Sequence, residues 1–267
     1  MTASQPLPIS RLIGSIPHRL ALAGGWIDQP FVSRLNPNPN GSMVVFSVEP
    51  TFRVMSRAGW ASSTREMALQ LWRGQLPDRP RADLVRELYH AENQDRADPS
   101  GSQDMIGLIY PGINRLDYNF AVEGGIFPEH IETLNDPACA RWLERSLYLL
   151  PIEPRPPGYN PLGEKFLEPE WIARLGQTGK DCFEAIRRMD ITRLGQSLNE
   201  AMLCWKKLLP QSFRHPTIRT DLEGILAAYQ QRYAGAMYSG CGGGYLLVIA
   251  DEPVPGGFQI KIRTEAK

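Results

Sequence analysis

The sequence has few of the features that mark metal centres, redox motifs or membrane spans. Its 267 residues include only four cysteines and four histidines, and neither a CxxC pair nor an HExxH motif occurs. Isolated thiols of this kind are expected to be free and buried. No apolar run approaches the roughly 18 residues that a membrane-spanning helix needs. The sequence therefore predicts neither a histidine metal site nor a thiol redox centre, and no membrane association.

Excess charge of either sign is also lacking. Lysine plus arginine and aspartate plus glutamate both number 29, so the net charge of zero predicts no nucleic-acid partner. The first ten residues, MTASQPLPIS, contain neither the basic nor the apolar segment of a secretion signal, which predicts a cytoplasmic protein. Glycine and proline are abundant instead: 24 and 23 residues, about a sixth of the chain, predict long structured loops.

The apolar pattern predicts an α+β fold with two lobes, residues 1–145 and 146–267. Runs of strands and runs of helices follow one another without the regular alternation of a parallel βαβ sheet. In the first lobe the predicted strands are the short apolar stretch of RLALAGGWID that ends at Gly24-Gly25, and residues 43–48, 52–55 and 116–122. The predicted helices begin near 63, 83 and 102. In the second lobe a strand at 147–152 and a proline-rich loop at 154–163 precede helices at 168–188, 190–208 and 216–233. Three strands at 236–239, 245–250 and 258–262 complete the pattern.

Three glycine-bearing segments stand out, at residues 23–28, 58–63 and 239–245. Each fits a tight turn, since glycine tolerates positive φ. The middle segment also opens a helix, whose free N–H groups make an anion site, and phosphate is the obvious anion. The alternative is purely structural: Ser63 and Glu66 have the spacing of a capping box. Because GK[ST] is absent and no GxGxxG follows a strand, neither a P-loop nor a dinucleotide-binding fold is predicted.

Two carboxylates are candidates for chemistry. Glu92 falls late in one predicted helix and Asp104 begins the next, after the helix-breaking sequence PSGS, so both are expected to face one cleft. Magnesium-dependent phosphoryl transfer needs an oxygen ligand for the metal and a base for the acceptor hydroxyl. The alternative is that both acids are solvated surface residues, because two acids at this spacing are common.

Taken in order, four segments resemble the motifs of the GHMP small-molecule kinase superfamily, and GGWxD is closest to the fucokinase, heptose-7-phosphate kinase and galactokinase-like branch. The segments are RLALAGGWIDQP (19–30), RAGWASSTREMA (57–68), AENQDRADPSGSQDMIG (91–107) and MYSGCGGGYLLVIAD (237–251). The resemblance implies a two-lobed fold with the active site in the cleft between the lobes. It also implies an ATP- and Mg²⁺-dependent kinase that acts on a hydroxyl of a sugar or cyclitol.

The resemblance also implies roles for individual residues. Asp104 takes the proton of the acceptor hydroxyl and Arg19 orients that hydroxyl, whereas Glu92 with Ser62 or Ser63 holds Mg²⁺. The residues implied in substrate binding are Asp28, Gly25 and Trp26. Those implied in binding the nucleotide are Gly59, Trp60, Ala61, Ser62, Ser63, Gly240, Gly242 and Gly243.

The sequence departs from the family pattern in the second motif and in the interval before it. The usual GLGSS reads GWASS here, and Ala61 is expected to take negative φ. Residues 30–56, between the first two motifs, form a short interval, which predicts a reduced N-terminal lobe. Trp26 and Trp60 are expected to pack in the core or loops rather than stack on a sugar or an adenine.

Two other functions stay open at this point. One is a regulatory or binding protein that keeps the GHMP scaffold and has lost turnover. The other is an α+β domain whose glycine turns are only turns. The substrate pocket is expected to include Asp28 and the loops at 36–42 and 154–161. The sequence does not name the phosphate acceptor or the oligomeric state.

Overall fold

Two antiparallel sheets organise the chain. The computed structural model describes residues 15–96, 99–160 and 163–265. A four-stranded sheet has the order β1-β2-β3-β4, and a three-stranded sheet has the order β5-β7-β6. The strands are β1 His18–Ala21, β2 Gly41–Val48, β3 Ile113–Tyr118, β4 His130–Leu134, β5 Leu147–Glu153, β6 Gly235–Gly240 and β7 Gly243–Ile249. The α+β class predicted from the sequence is confirmed.

Helices cover both sheets. They are α1 Pro30–Ser33, α2 Ser62–Leu71, α3 Arg81–Asn93, α4 Gln103–Ile109, α5 Pro137–Ser146, α6 Pro169–Arg187, α7 Ile191–Leu208 and α8 Leu222–Arg232. Both α4 and α6 pack against β2, and all eight residues of that strand are buried. Burial explains why β2 reads as an apolar run rather than as an alternating pattern.

Helix α6 approaches the first sheet through two glycines. A Cβ on Gly179 would lie 2.0 Å from the Ser42 carbonyl oxygen, and one on Gly176 would lie 2.8 Å from the Gly41 Cα. Only glycine permits so short a distance between helix and strand. The helix that follows the proline-rich loop therefore packs on the sheet formed by the first half of the chain.

Some predicted elements differ from those observed. Residues 52–55 and 258–262 form no strands, although Phe258 pairs with Leu149 and Ile262 with Val48 in isolated bridges. Aromatic side chains of these two segments pack against each other instead of extending a sheet, and the ring centroids of Phe52 and Phe258 lie 5.5 Å apart. The predicted strand at 116–122 is observed as β3, which begins and ends earlier.

Three elements escaped prediction: α1, β4 and α5. The signal for α5 was present in the sequence, because Pro137 stands at its first turn and Asp136 caps it by accepting from the Ala138 and Cys139 N–H groups. Helix α8 begins at Leu222 and not at 216 as predicted, because Asp221 caps its first turn.

The four cysteines are free and buried, as expected. Within the described ranges, no group of three or more His, Cys, Asp or Glu side chains is placed to hold a metal ion. No helix among the described residues is long and apolar enough to cross a membrane.

Candidate active site

A cleft of about 740 Å³ opens where the glycine-bearing segments meet. Its walls come from the stretches 19–29, 56–66, 99–104, 155–159 and 239–241, together with Met43, Arg96 and Trp205. Most of the residues implied by the family resemblance line it, namely Arg19, Gly25, Trp26, Asp28, Gly59, Trp60, Ala61, Ser62, Ser63, Asp104 and Gly240. Segments more than 200 residues apart in sequence thus form one site.

Arg19 and Asp104 form an ion pair in the wall of this cleft. Arg19 projects from β1, and Asp104 lies in the first turn of α4. Helix α4 can lie close to β1 because residue 107 is glycine. A Cβ at this position would lie only 2.1 Å from the Arg19 Cγ. Arg19 Nη1 also donates to the Gly59 carbonyl at 3.2 Å, and Gln103 Nε2 donates to Asp104 Oδ1 at 2.6 Å. The pair is therefore fixed from both sides.

The Arg19 guanidinium is almost completely out of water, with 6% of its side chain exposed. Burial lowers its pKa to about 10, although the nearby Asp28 carboxylate opposes the decrease. Arg19 still carries its charge at neutral pH. Its Nε is buried without a hydrogen-bond partner in the described part of the chain, which leaves one donor for a ligand.

Asp28 is another acid in the cleft wall, and unlike Asp104 it is buried. Burial raises its pKa to about 6, while the Arg19 charge pulls the pKa down. Residue 101 must be glycine here, because a Cβ would lie 1.6 Å from Asp28 Oδ2. The glycine of PSGS thus lets the segment before α4 pass beside Asp28, which places this carboxylate and Asp104 in the same cleft.

Helix α2 begins without a side-chain cap. The predicted capping box is wrong: the helix starts at Ser62, and Ala61 occupies the N-cap position. Ser63 Oγ donates to Glu92 Oε1 at 2.9 Å instead of turning back to its own helix. Among the described residues, no side chain caps the first N–H groups of α2, and this arrangement suits a phosphate.

Ala61 takes a left-handed conformation with φ +52°, so the expectation of negative φ was wrong. Such a conformation costs a non-glycine residue about 1 kcal/mol. The physical reason lies in Trp60, whose indole is 1% exposed and packs edge-on against His18, Phe52 and Tyr245. Burying that indole fixes the loop just before the helix.

Glu92 is the penultimate residue of α3 and lies beside the start of α2. The expectation that both carboxylates face one cleft holds for Asp104 only, because Glu92 is not among the described residues that line it. Its Oε1 accepts from Ser63 Oγ and lies 3.0 Å from Arg96 Nη2, with Ser100 Oγ at 3.4 Å. Its Oε2 is buried and has no partner among the described residues. Mg²⁺ in phosphate-binding sites commonly takes one or two carboxylates together with phosphate oxygens and water. An unsatisfied carboxylate oxygen on the residue that accepts from the Ser63 hydroxyl fits that ligand set.

The third glycine segment supports the second. A Cβ on Gly59, where φ is +78°, would lie 2.4 Å from the Ser239 carbonyl oxygen, and one on Gly240 would lie 2.7 Å from the Gly59 Cα. The two segments are therefore in backbone contact. Gly242 packs on the Tyr159 ring and Gly243 on the Glu153 carbonyl. Unlike Gly240, neither is among the described residues that line the cleft.

Trp26 and Trp205 connect the first glycine segment to other parts of the cleft wall. Trp26 is partly buried, and its Nε1 donates to Cys241 Sγ at 3.2 Å. Trp205 Nε1 donates to the Gly25 carbonyl at 3.1 Å. These bonds connect the first glycine segment to the third segment and to α7. Both Trp26 and Trp60 line the cleft, but the Trp60 side chain is almost fully buried and serves mainly in packing.

Sequence reasoning missed several residues of the cleft wall: Arg57, Arg96, Arg155, Tyr159 and Trp205. Arg155 and Tyr159 belong to the proline-rich loop, part of which was expected near the substrate. Pro161, in the same loop, lies outside the described residues. The expected loop 36–42 contributes no residue to the described cleft wall.

Comparisons with known proteins identify the fold. No family model and no curated protein matches the chain. A solved mevalonate kinase matches over 94% of this chain and 99% of its own, at 11% identity and a TM-score of 0.61. The galactokinase of Lactococcus lactis, complexed with galactose, matches over 93% and 92%, at 11% identity and a TM-score of 0.63. A D-glycero-D-manno-heptose 1-phosphate kinase from Bacteroides thetaiotaomicron matches over 93% and 96%, at 12% identity and a TM-score of 0.56.

The chain has a GHMP-kinase-like fold. At 11 to 12% identity, the similarity concerns the fold and spans nearly the whole of each chain. The GHMP branch, the reduced N-terminal lobe and the lobe boundary near residue 145 remain predictions.

Proposed function

We propose that the chain is an ATP- and Mg²⁺-dependent kinase that phosphorylates a hydroxyl group of a sugar or cyclitol. The observation that carries the proposal is the Arg19–Asp104 ion pair, which lies in one cleft with the uncapped start of α2. The GHMP-kinase-like fold supports it, because similar structures include kinases named for mevalonate, galactose and a heptose. Fold similarity alone does not define an activity, so the proposal depends on the cleft residues.

In this proposal Asp104 is the base. Both of its described contacts, with Arg19 and Gln103, fall on Oδ1, which leaves Oδ2 to accept the proton of the acceptor hydroxyl. Arg19 keeps the carboxylate oriented and holds positive charge beside the reacting oxygen. Asp28, with Gly25 and Trp26, lines the same cleft and would bind the other hydroxyls of the acceptor.

The residues that would hold the nucleotide phosphates are those from Gly59 to Ser63, together with Gly240. Glu92 Oε2 would hold Mg²⁺ with the hydroxyls of Ser62 and Ser63. ATP supplies the phosphoryl group and Mg²⁺ neutralises its charge, whereas the chain contributes position and preorganised charge.

The test is ADP formation with a panel of monosaccharides, inositols and heptose phosphates, comparing the native chain with Asp104→Asn. We expect the native chain to release ADP with at least one acceptor and the variant to lose at least about 100-fold in kcat, since general base catalysis contributes 10²–10⁴-fold. Asp83→Asn is the matched control because Asp83 also lies in a first helical turn, outside the described cleft wall.

Equal ADP release by the native chain and Asp104→Asn with every acceptor would contradict the proposal. If acceptors then bound without being phosphorylated, the result would favour a binding protein that keeps the scaffold and has lost turnover.

A further inference from the structure

Arg155 enters the cleft from the proline-rich loop that follows β5. Reciprocal bonds tie this loop to the segment before α2. The Arg155 N–H donates to the Arg57 carbonyl at 3.1 Å, and Arg57 Nε donates back to the Arg155 carbonyl at 3.0 Å. Arg57 Nη2 also donates to the Pro156 carbonyl at 2.7 Å. The backbone of Arg155 is therefore fixed beside the second glycine segment.

The Arg155 guanidinium lies over the contact between the second and third glycine segments. Its Nη2 stands 2.7 Å from the position that a Cβ on Gly240 would take, and Gly240 in turn packs on Gly59. A side chain at residue 240 would displace the guanidinium. Because residue 240 is glycine, the Arg155 guanidinium can lie next to the loop that opens α2.

The other three cleft arginines have side-chain partners. Arg19 pairs with Asp104, Arg96 with Glu92, and Arg57 donates to two carbonyl oxygens. Arg155 combines two features that none of these three shares as a pair: it has no carboxylate partner among the residues that the structure describes, and its Nε is buried without a hydrogen bond. Leaving a buried donor of a charged group unsatisfied is costly, and an anion would remove that cost.

We propose that Arg155 is the centre of a phosphate-binding subsite in the cleft and contacts phosphate oxygens of a reactant. The planar guanidinium offers paired donors that match phosphate geometry. This inference rests on the proposed kinase function. The phosphate has two possible sources, the polyphosphate chain of the nucleotide or a phosphate group on the acceptor, and the experiment distinguishes them.

The experiment measures binding by titration calorimetry for the native chain, Arg155→Gln, Arg155→Lys and the control Arg188→Gln. Arg188 is a matched arginine with 62% of its side chain exposed, at the end of α6. One probe is inorganic tripolyphosphate, which reports on the nucleotide phosphate chain. The other is inorganic phosphate added after saturation with a non-hydrolysable ATP analogue, which reports on an acceptor phosphate.

We expect Arg155→Gln to lower the affinity for at least one probe by about tenfold or more, which is the size of a lost charge-assisted contact. Arg155→Lys keeps the charge but not the planar donor pair, so an intermediate loss is expected, and Arg188→Gln should bind as the native chain does. A loss confined to tripolyphosphate assigns the subsite to the nucleotide. A loss confined to inorganic phosphate assigns it to the acceptor.

The inference is overturned if Arg155→Gln and Arg188→Gln bind both probes equally, or if the native chain binds neither probe. Thermal melting establishes that each variant is folded, and Arg155→Lys decides the question if Arg155→Gln does not fold. Because binding is measured without turnover, failure here differs from failure of the kinase proposal, which would be the absence of phosphoryl transfer by the native chain.

Discussion

Arg19 and Asp28 are charged side chains held out of water in the same cleft. Burial moves their pKa values toward each other, lowering that of Arg19 to about 10 and raising that of Asp28 to about 6. Both groups are still charged at neutral pH, so the cleft keeps a cation and an anion in place before any ligand arrives. Such preorganisation is what phosphoryl transfer requires from a protein.

The raised pKa of Asp28 predicts a pH-dependent cost to stability. Because the folded chain binds the Asp28 proton more tightly than the unfolded chain, this residue favours folding below about pH 4 and loses that contribution as pH rises to about 6. Asp28→Asn removes the effect. Relative to the native chain, the variant should gain stability between pH 4 and pH 6.5, by about 3 kcal/mol at most.

Urea unfolding of both chains across this pH range measures the difference. Comparing the two chains is necessary because His18 changes the stability of both with pH in the opposite direction. Burial, aided by the charge of Arg65, lowers the pKa of His18 to about 4, so its contribution to stability is lost as pH falls through that value. A difference between the two chains that does not vary with pH would show that Asp28 has an ordinary pKa.

The sequence motifs predicted many individual residues of the cleft wall. Arg19, Asp28 and Asp104 come together as the family resemblance implied. The positive φ of Ala61 escaped prediction because a buried indole next to it sets the backbone. The alternative capping role of Ser63 is not observed, because its hydroxyl donates to Glu92, 29 positions away. Arg155 escaped because nothing in a proline-rich loop shows which side chain turns inward.

At the scale of elements, apolar periodicity predicted where helices lie along the chain better than it predicted which strands they pack against. The apolar stripe of 168–188 predicted α6 to within a residue or so at each end. The same stripe did not show that Gly176 and Gly179 bring α6 onto β2. Strands β6 and β7 were predicted because buried apolar runs flank a glycine turn. Strand β4 carries little signal, because three of its five residues are polar and none is fully buried.

The contact between the second and third glycine segments predicts that Gly59→Ala is costly. Its Cβ would lie 2.4 Å from a carbonyl oxygen, in addition to the strain of φ +78°. Gly74→Ala is the matched control because it has φ +83° and nothing within 4 Å of its Cβ. We expect about 1 kcal/mol of destabilisation in the control and about 3 kcal/mol or more for Gly59→Ala.

Chemical denaturation of the two glycine variants provides these values. Nucleotide affinity should also fall in Gly59→Ala and not in Gly74→Ala. If the two variants lose equal stability, the two segments do not depend on close backbone contact.

At the scale of the whole molecule, the cleft joins parts of the chain that the sequence separates widely. Residues from 19 to 241 line it, so a ligand that fills it contacts several elements at once. A ligand that binds only the folded chain stabilises it by about 2.7 kcal/mol at 100 times its Kd. Binding in this cleft should therefore be visible as a rise in melting temperature.

We expect ATP with Mg²⁺ to raise the melting temperature, and Glu92→Gln to reduce the part of the rise that depends on Mg²⁺. The reason is that Glu92 Oε2 is the buried oxygen without a partner at the start of α2. Calorimetric scans with ATP alone, Mg²⁺ alone and both together separate the contributions. A rise with sugars alone, and none with ATP and Mg²⁺, would contradict the kinase proposal and favour a sugar-binding protein.

The most direct test of the central claim follows the γ-phosphoryl group itself. ATP labelled in that group is incubated with the acceptor panel, and the products are identified by mass spectrometry for the native chain, Asp104→Asn and Asp83→Asn. We predict that the native chain and Asp83→Asn transfer the label to a hydroxyl of one acceptor class and that Asp104→Asn does not. Label found only in inorganic phosphate, in equal amounts for all three chains, would contradict the claim.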